Sequence, residues 1–181
     1  MLKILIGGGS SVGKTTAGKE LARNLGLAFV ELDQIAKGDP TLPSIDFSGE
    51  RLERQPVDVL VDELKAKGAY LQPLVRRQVD DCSEPGAVIE GEGIVPAMAS
   101  EVDSSVVILF VVETNAAVLH QTLTGRSAFF RLLTASAQRK LCTVNAAYNA
   151  WIRAEAQAGP LLVVLSSPME SLHKRILRAV T

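Results

Sequence analysis

Two cysteines are all the chain holds, Cys82 and Cys142. Each falls inside a helical pattern with no second ligand-type residue at metal-binding spacing. This excludes a disulfide framework and a zinc site and leaves reduced, largely buried thiols. Charge of one sign is also missing. A formal net charge of −1 provides no basic field for a phosphodiester backbone or an anionic lipid surface, so neither nucleic acid nor a membrane is expected as a partner. Long hydrophobic runs are absent too. The longest, Val106 to Val112, falls far short of the roughly 20 residues that a membrane-spanning helix needs. The chain opens directly into an apolar strand and glycines with no cleavable signal pattern, and a soluble, cytoplasmic protein is the expectation. There is no low-complexity tract and no internal repeat.

What is present is an ordinary globular composition, 47% hydrophobic and 22% charged over 181 residues. That length suits one well-packed domain and not two. Short apolar runs at 2–7, 27–32, 87–90, 106–112 and 161–165 read as strands, the later ones rich in β-branched residues. Between them the apolar residues recur at helical spacing. Ala17, Leu21 and Leu25 mark a first helix from Thr15 to Leu25. Val57, Leu60, Val61 and Leu64 mark another that Gly68 is expected to stop, with a separate helix from Ala69 to Cys82. A long helix is predicted from Ala135 to Ala158, ended by Gly159 and Pro160, and a last one is opened by Ser167, Pro168 and Glu170. The stretch from Gln34 to Glu50 loses periodicity and reads as a loop of functional length. Five strands alternating with helices predict an α/β fold, a three-layer α/β/α domain with a five-stranded parallel sheet and ligands at the carboxyl ends of the strands.

The strongest motif is Gly8-Gly9-Ser10-Ser11-Val12-Gly13-Lys14-Thr15. It satisfies Gly-x-x-x-x-Gly-Lys-Ser/Thr and lies between an apolar strand and an amphipathic helix, the context this phosphate loop requires. Glycines let successive N–H groups point inward at phosphate oxygens, and the helix starting near Gly13 adds its positive dipole end. Lys14 should reach the β- and γ-phosphates of ATP, and the Thr15 hydroxyl should ligate a Mg²⁺ that bridges them. Thr16 suits a phosphate contact and first-turn packing equally.

Phosphoryl transfer also needs a group to hold the metal's waters and one to orient the acceptor hydroxyl. Glu31 and Asp33 stand two apart at the end of the second strand and would share a side if the segment is extended. Glu90 closes the run Ala87-Val88-Ile89, as the second metal-handling carboxylate of phosphate-loop enzymes does, and Glu92 follows two positions later. One of Glu31, Glu90 and Glu92 is expected to handle metal-bound water. Gly91 and Gly93 around Glu92 give a backbone able to approach a ligand closely.

Arg126 and Arg131 fall in a segment of turn character, about 122–135, that could close as a lid, their planar donor forks matching phosphate oxygens. Arg76 and Arg77 fit a solvated helix face better than an acceptor site. His120 and His173 have no catalytic partner pattern, and Tyr148, Trp151 and Ile152 continue the apolar stripe of Leu141 and Val144, which is core packing.

Gly13-Lys14-Thr15-Thr16, Gly18, Leu21-Ala22, Leu25, Phe29 and the pair Glu31-x-Asp33 resemble the pattern of the shikimate kinase and nucleoside monophosphate kinase superfamily. The resemblance implies that Glu31 handles Mg²⁺-bound water, that Asp33 binds the acceptor hydroxyl, and that Arg126 and Arg131 contact phosphate from the lid. The segment Glu90-Gly91-Glu92-Gly93-Ile94-Val95-Pro96 departs from the glycine triplet of shikimate kinases and is more similar to 2-phosphoglycerate kinases. The expected activity is transfer of the γ-phosphate of ATP to a small-molecule acceptor, a hydroxyl before a phosphate, with residues 34–83 supplying the acceptor region. A nucleoside or nucleotide kinase is the alternative within the class. A nucleotide-dependent switch is the alternative outside it, and the missing Asn-Lys-x-Asp run argues against its guanine-specific form.

Overall fold

The computed structural model describes residues 1–39 and 45–181. Five parallel strands form one sheet: β1 (Leu2–Gly7), β2 (Ala28–Glu31), β3 (Gly86–Glu90), β4 (Val107–Val112) and β5 (Leu162–Leu165), in the order β2-β3-β1-β4-β5. All of β3 and all but the first residue of β4 are buried. Helices on both faces therefore explain why these strands read as continuous apolar runs and not as alternations. On one face lie α1 (Lys14–Leu25) and α8 (Leu172–Val180), packed on each other. On the other, α7 (Ala135–Gln157) rests on β4 and β5 with α4 (Val57–Asp80) beside it. The shorter helices are α2 (Leu32–Lys37), α3 (Gly49–Arg54), α5 (Ala116–Arg126) and α6 (Ala128–Leu132). Among the described residues no helix is long and apolar enough to cross a membrane.

Because β1 pairs with both β3 and β4, the chain leaving β1 enters the crevice where the strand order reverses, the position at which open α/β sheets bind ligands. The strand ends are level there. Ile6 of β1 lies opposite Glu90 of β3, and Glu90 lies opposite Glu31 of β2.

Two expectations are corrected. Residues 34–50 are not one loop: α2 takes up Leu32–Lys37 and α3 begins at Gly49, while the part at 40–44 lies outside the described residues. Nor does Gly68 end a helix. α4 runs through it, and through Pro73, to Asp80, leaving Cys82 beyond the helix end. Pro73 costs the bond to the Ala69 carbonyl, but Ala69 is exposed and water can replace the donor. Gly68 serves close packing, since a Cβ there would stand 2.6 Å from Cγ1 of Val95. Alanine in a helix interior ordinarily gains about 0.5–1 kcal/mol over glycine. Val95 is buried and stiff at χ1, so overpacking outweighs the gain. Gly68→Ala is expected to lower stability by about 1–2 kcal/mol, read as a lower urea midpoint at unchanged slope.

Cys142 is buried, and burial pushes its thiol pKa up to about 11, which leaves it an inert packing group at neutral pH.

Candidate active site

The phosphate loop is held open by backbone geometry that its sequence anticipates. Gly8 and Gly13 adopt φ values of 134° and 93°, where an L side chain is resisted. A Cβ on Gly8 would meet the Val111 carbonyl oxygen at 2.0 Å. Ser11 holds φ at 60° without being glycine, the kind of local strain that clusters at ligand sites. No side chain caps the N-terminus of α1, so its first N–H groups and the positive end of its dipole are free to meet an anion.

A second brace comes from behind. Asn149 of α7, fully buried, accepts the Gly9 N–H at 3.0 Å through Oδ1 and donates to the Asn145 carbonyl at 2.9 Å. Asn145, also buried, donates in turn to the Leu141 carbonyl. Replacing Asn149 by leucine would strand the Gly9 N–H without a partner. Asn149→Leu is expected to lower folding stability by about 1–3 kcal/mol, the cost of one unsatisfied buried donor, read as a lower urea midpoint at unchanged slope.

Lys14 is buried at the loop's centre, its Nζ donating to the Gly9 carbonyl at 2.7 Å. The Thr15 hydroxyl donates to Oε1 of Glu90 at 2.8 Å. Glu90 is 1% exposed, and its Oε2 is buried with no partner. Burial raises the Glu90 pKa, with Asp33 and Glu31 adding to the rise and Lys14 and the Thr15 hydrogen bond opposing it. Among the described residues no cluster of three or more Asp, Glu, His or Cys side chains encloses a metal-sized point. The fit is instead that of a cation held by one hydroxyl and by the phosphates, with a carboxylate behind it. Thr15 and the unpartnered oxygen of Glu90 supply that donor set.

Glu31 and Asp33 do not share an extended segment. β2 stops at Glu31 and Asp33 sits in the first turn of α2, so the two side chains diverge. Glu31 turns to Lys19, at 3.6 Å, and to Gln34. Asp33 turns inward. Its Oδ2 accepts the Glu92 N–H at 3.3 Å, and its Oδ1 is buried without a partner. Burial raises the Asp33 pKa, the Glu92 charge raises it further, and Lys14 and Lys67 oppose both.

Glu92 is the hub of this region. Lys67 of α4 lies 3.3 Å from its Oε2, and Tyr148 donates its hydroxyl to its carbonyl at 3.2 Å. Burial acts to raise the Glu92 pKa, but Lys14 and Lys67 outweigh burial and hold it below the usual range.

Two recesses flank the phosphate loop. A narrow slot at the start of α1 is lined by Gly13, Thr16, Arg126, Met169, Leu172 and His173. A larger cleft of about 230 Å³ opens on the other side, floored by Ser10, Ser11 and Glu92 and walled by Phe47, Leu64 and the α5–α6 segment. Arg126 therefore faces the loop at the start of α1. Arg131 does not: its guanidinium donates to the Thr124 carbonyl at 3.1 Å, tying α6 back to α5. Arg76 pairs with Glu101 and Arg77 is exposed, as a solvated face would have them. Ser166, at the end of β5, is buried with its hydroxyl unpartnered.

Sequence reasoning missed Lys67, Asn145 and Asn149. A signal existed for each. Lys67 interrupts the stripe Leu60, Leu64, Leu71, Val75, and the two asparagines interrupt Leu141, Tyr148, Ile152, Ala156; polar groups at core positions mark a network more often than an accident.

No protein-family model matches the chain, and no curated protein matches it in sequence. Solved structures do match its fold. A shikimate kinase from Bacteroides thetaiotaomicron superposes with a TM-score of 0.62 at 16% identity, covering 98% of this chain and 97% of that one. A gluconokinase from Sinorhizobium meliloti 1021 matches with a TM-score of 0.54 at 17% identity, over 99% and 91%. A deoxyadenosine kinase from M. mycoides with bound dATP matches with a TM-score of 0.55 at 14% identity, over 98% and 98%. The chain has the α/β fold of the phosphate-loop small-molecule kinases.

Proposed function

We propose that the protein transfers the γ-phosphoryl group of ATP to a hydroxyl of a small molecule bound in the cleft beside Ser10, Ser11 and Glu92. One observation carries the reading. A strained, uncapped phosphate loop, the Thr15–Glu90 pair and an inward-facing Asp33 with a free buried oxygen converge at one end of the sheet. The kinase fold of the structural neighbours supports it.

In this reading the loop N–H groups of residues 10–14 and the α1 terminus hold the β- and γ-phosphates, and Lys14 neutralises charge that spreads over the transferring group. Thr15 would ligate Mg²⁺, with Glu90 holding its water; Glu31, turned to Lys19, is a poorer candidate. When bound, the cation screens the phosphate oxygens and lowers the charge the acceptor must approach. Asp33, its proton affinity raised by burial, accepts the hydroxyl proton as the new ester bond forms and the bond to the ADP oxygen breaks. Arg126 contacts the nucleotide from the lid and Thr16 lies beside it, with the loop at Ser166 and Ser167 approaching the base. Residues 34–83 supply the acceptor region and 122–135 the lid, whose closure excludes water that would otherwise hydrolyse ATP.

ADP release from Mg–ATP, measured across pools of metabolites, nucleosides and nucleotides, tests the reading, with Lys14→Ala as control. One pool should raise release many-fold, and Lys14→Ala should abolish the increase. Slow release, indifferent to every pool, would contradict a kinase and favour a nucleotide-dependent switch.

A further inference from the structure

Six apolar side chains, Phe47, Leu64, Leu123, Phe129, Phe130 and Leu141, form most of the cleft wall. Among the described residues its polar lining is Ser10, Ser11, Glu92, Ser127 and Asn145, with no lysine, arginine or histidine. Two of these polar groups already serve the fold: Ser127 Oγ accepts the Phe130 N–H, and Asn145 donates to the Leu141 carbonyl. Among the described residues the one charge in the lining is the carboxylate of Glu92, already paired with Lys67 at 3.3 Å. Lys14, the other nearby cation, is committed to the ATP phosphates in the reading above.

Resting on that phosphotransferase reading, we infer that the acceptor is an uncharged alcohol carried on an apolar, ring-sized body, and that carboxylated or phosphorylated acceptors are excluded. An anion placed here would lose its water, meet no unpaired cation and stand beside Glu92 and Asp33. Size agrees. An apolar cavity of about 150 Å³ holds one benzene ring, so about 230 Å³ accommodates a ring with a short hydroxylated arm that reaches toward Ser10, Ser11 and the adjacent Asp33. The cleft's mouth has the same character. Phe129, on the short α6 and in the cleft lining, is 48% exposed, apolar area that an apolar acceptor would cover at little desolvation cost.

A matched pair separates charge from shape: 1-phenyl-1,2-ethanediol against mandelate, which replaces the primary carbinol by a carboxylate. Shikimate and gluconate serve as further anions. With the full chain and Mg–ATP, kcat/KM for the diol should exceed that for mandelate at least tenfold, and Phe129→Arg, at a half-exposed position that tolerates the change, should reverse the order. Preference for mandelate, shikimate or gluconate would overturn the inference and leave the phosphotransferase reading standing. If none is turned over, titration of the same pair against the protein with Mg²⁺ and a non-hydrolysable ATP analogue decides the matter. Tenfold tighter binding of the diol sustains the neutral, apolar site, and equal or reversed affinity overturns it. Loss of the phosphotransferase reading itself would appear separately, as failure of every pool to raise ADP release.

Discussion

Asp33→Asn is expected to lower kcat by about 10²–10⁴-fold and, at the same time, to raise the melting temperature of the nucleotide-free protein. Both signs follow from the same environment. Burial and the neighbouring Glu92 raise the Asp33 pKa, so at neutral pH the ionised carboxylate binds its proton more readily folded than unfolded. A group of this kind contributes stability below its unfolded pKa and loses it as pH rises through the folded value, so at pH 7 its charge is a cost. Asparagine removes the charge, and its carbonyl oxygen can still accept the Glu92 N–H now bonded to Oδ2. It has no basic oxygen to receive the acceptor's proton. A structural carboxylate would show the opposite pattern, with lower melting temperature and unchanged turnover. Steady-state kinetics and a thermal melt on one preparation separate the two.

Lys14→Met should reduce kcat by at least about 10²-fold, the usual cost of removing one charged donor from a transferring group, with a smaller change in KM for ATP. Methionine preserves the apolar stem of a side chain that is 6% exposed, so a cavity does not confuse the result. The backbone donors of residues 10–13 and the α1 terminus remain, which is why binding survives better than turnover. Arginine is not a rescue. Its planar fork is larger than the ammonium whose Nζ sits 2.7 Å from the Gly9 carbonyl.

These expectations lean unequally on sequence and structure. The backbone shape of the phosphate loop was legible because it is local: glycine at positive φ, a lysine and a hydroxyl follow one another in a fixed order. The inner strands β3 and β4 were legible for a similar reason, since burial on both faces leaves an uninterrupted apolar run. Gly68 misled because a glycine in a helical pattern has two physical uses, a stop and a close approach, and only the position of Val95, 27 residues on, tells them apart. Glu31 and Asp33 were read as sharing one side on a premise of extended backbone that the structure corrects. The turn into α2 sends Asp33 to Glu92 and leaves Glu31 to Lys19. Arg131 looked as eligible as Arg126 because both are exposed cations in one segment; the bond to the Thr124 carbonyl that sets it aside depends on how α6 folds back on α5. The cleft was invisible in sequence, since its lining comes from six separate stretches of chain.

The central claim is that the γ-phosphoryl group ends on a small organic hydroxyl. Phosphorus NMR of the protein with Mg–ATP and the most active acceptor pool tests it directly, by recording where each γ-phosphate goes. The account predicts a new phosphate-monoester resonance growing in step with ADP, absent for Lys14→Met. ADP matched by inorganic phosphate alone, with no ester in any pool, would contradict it.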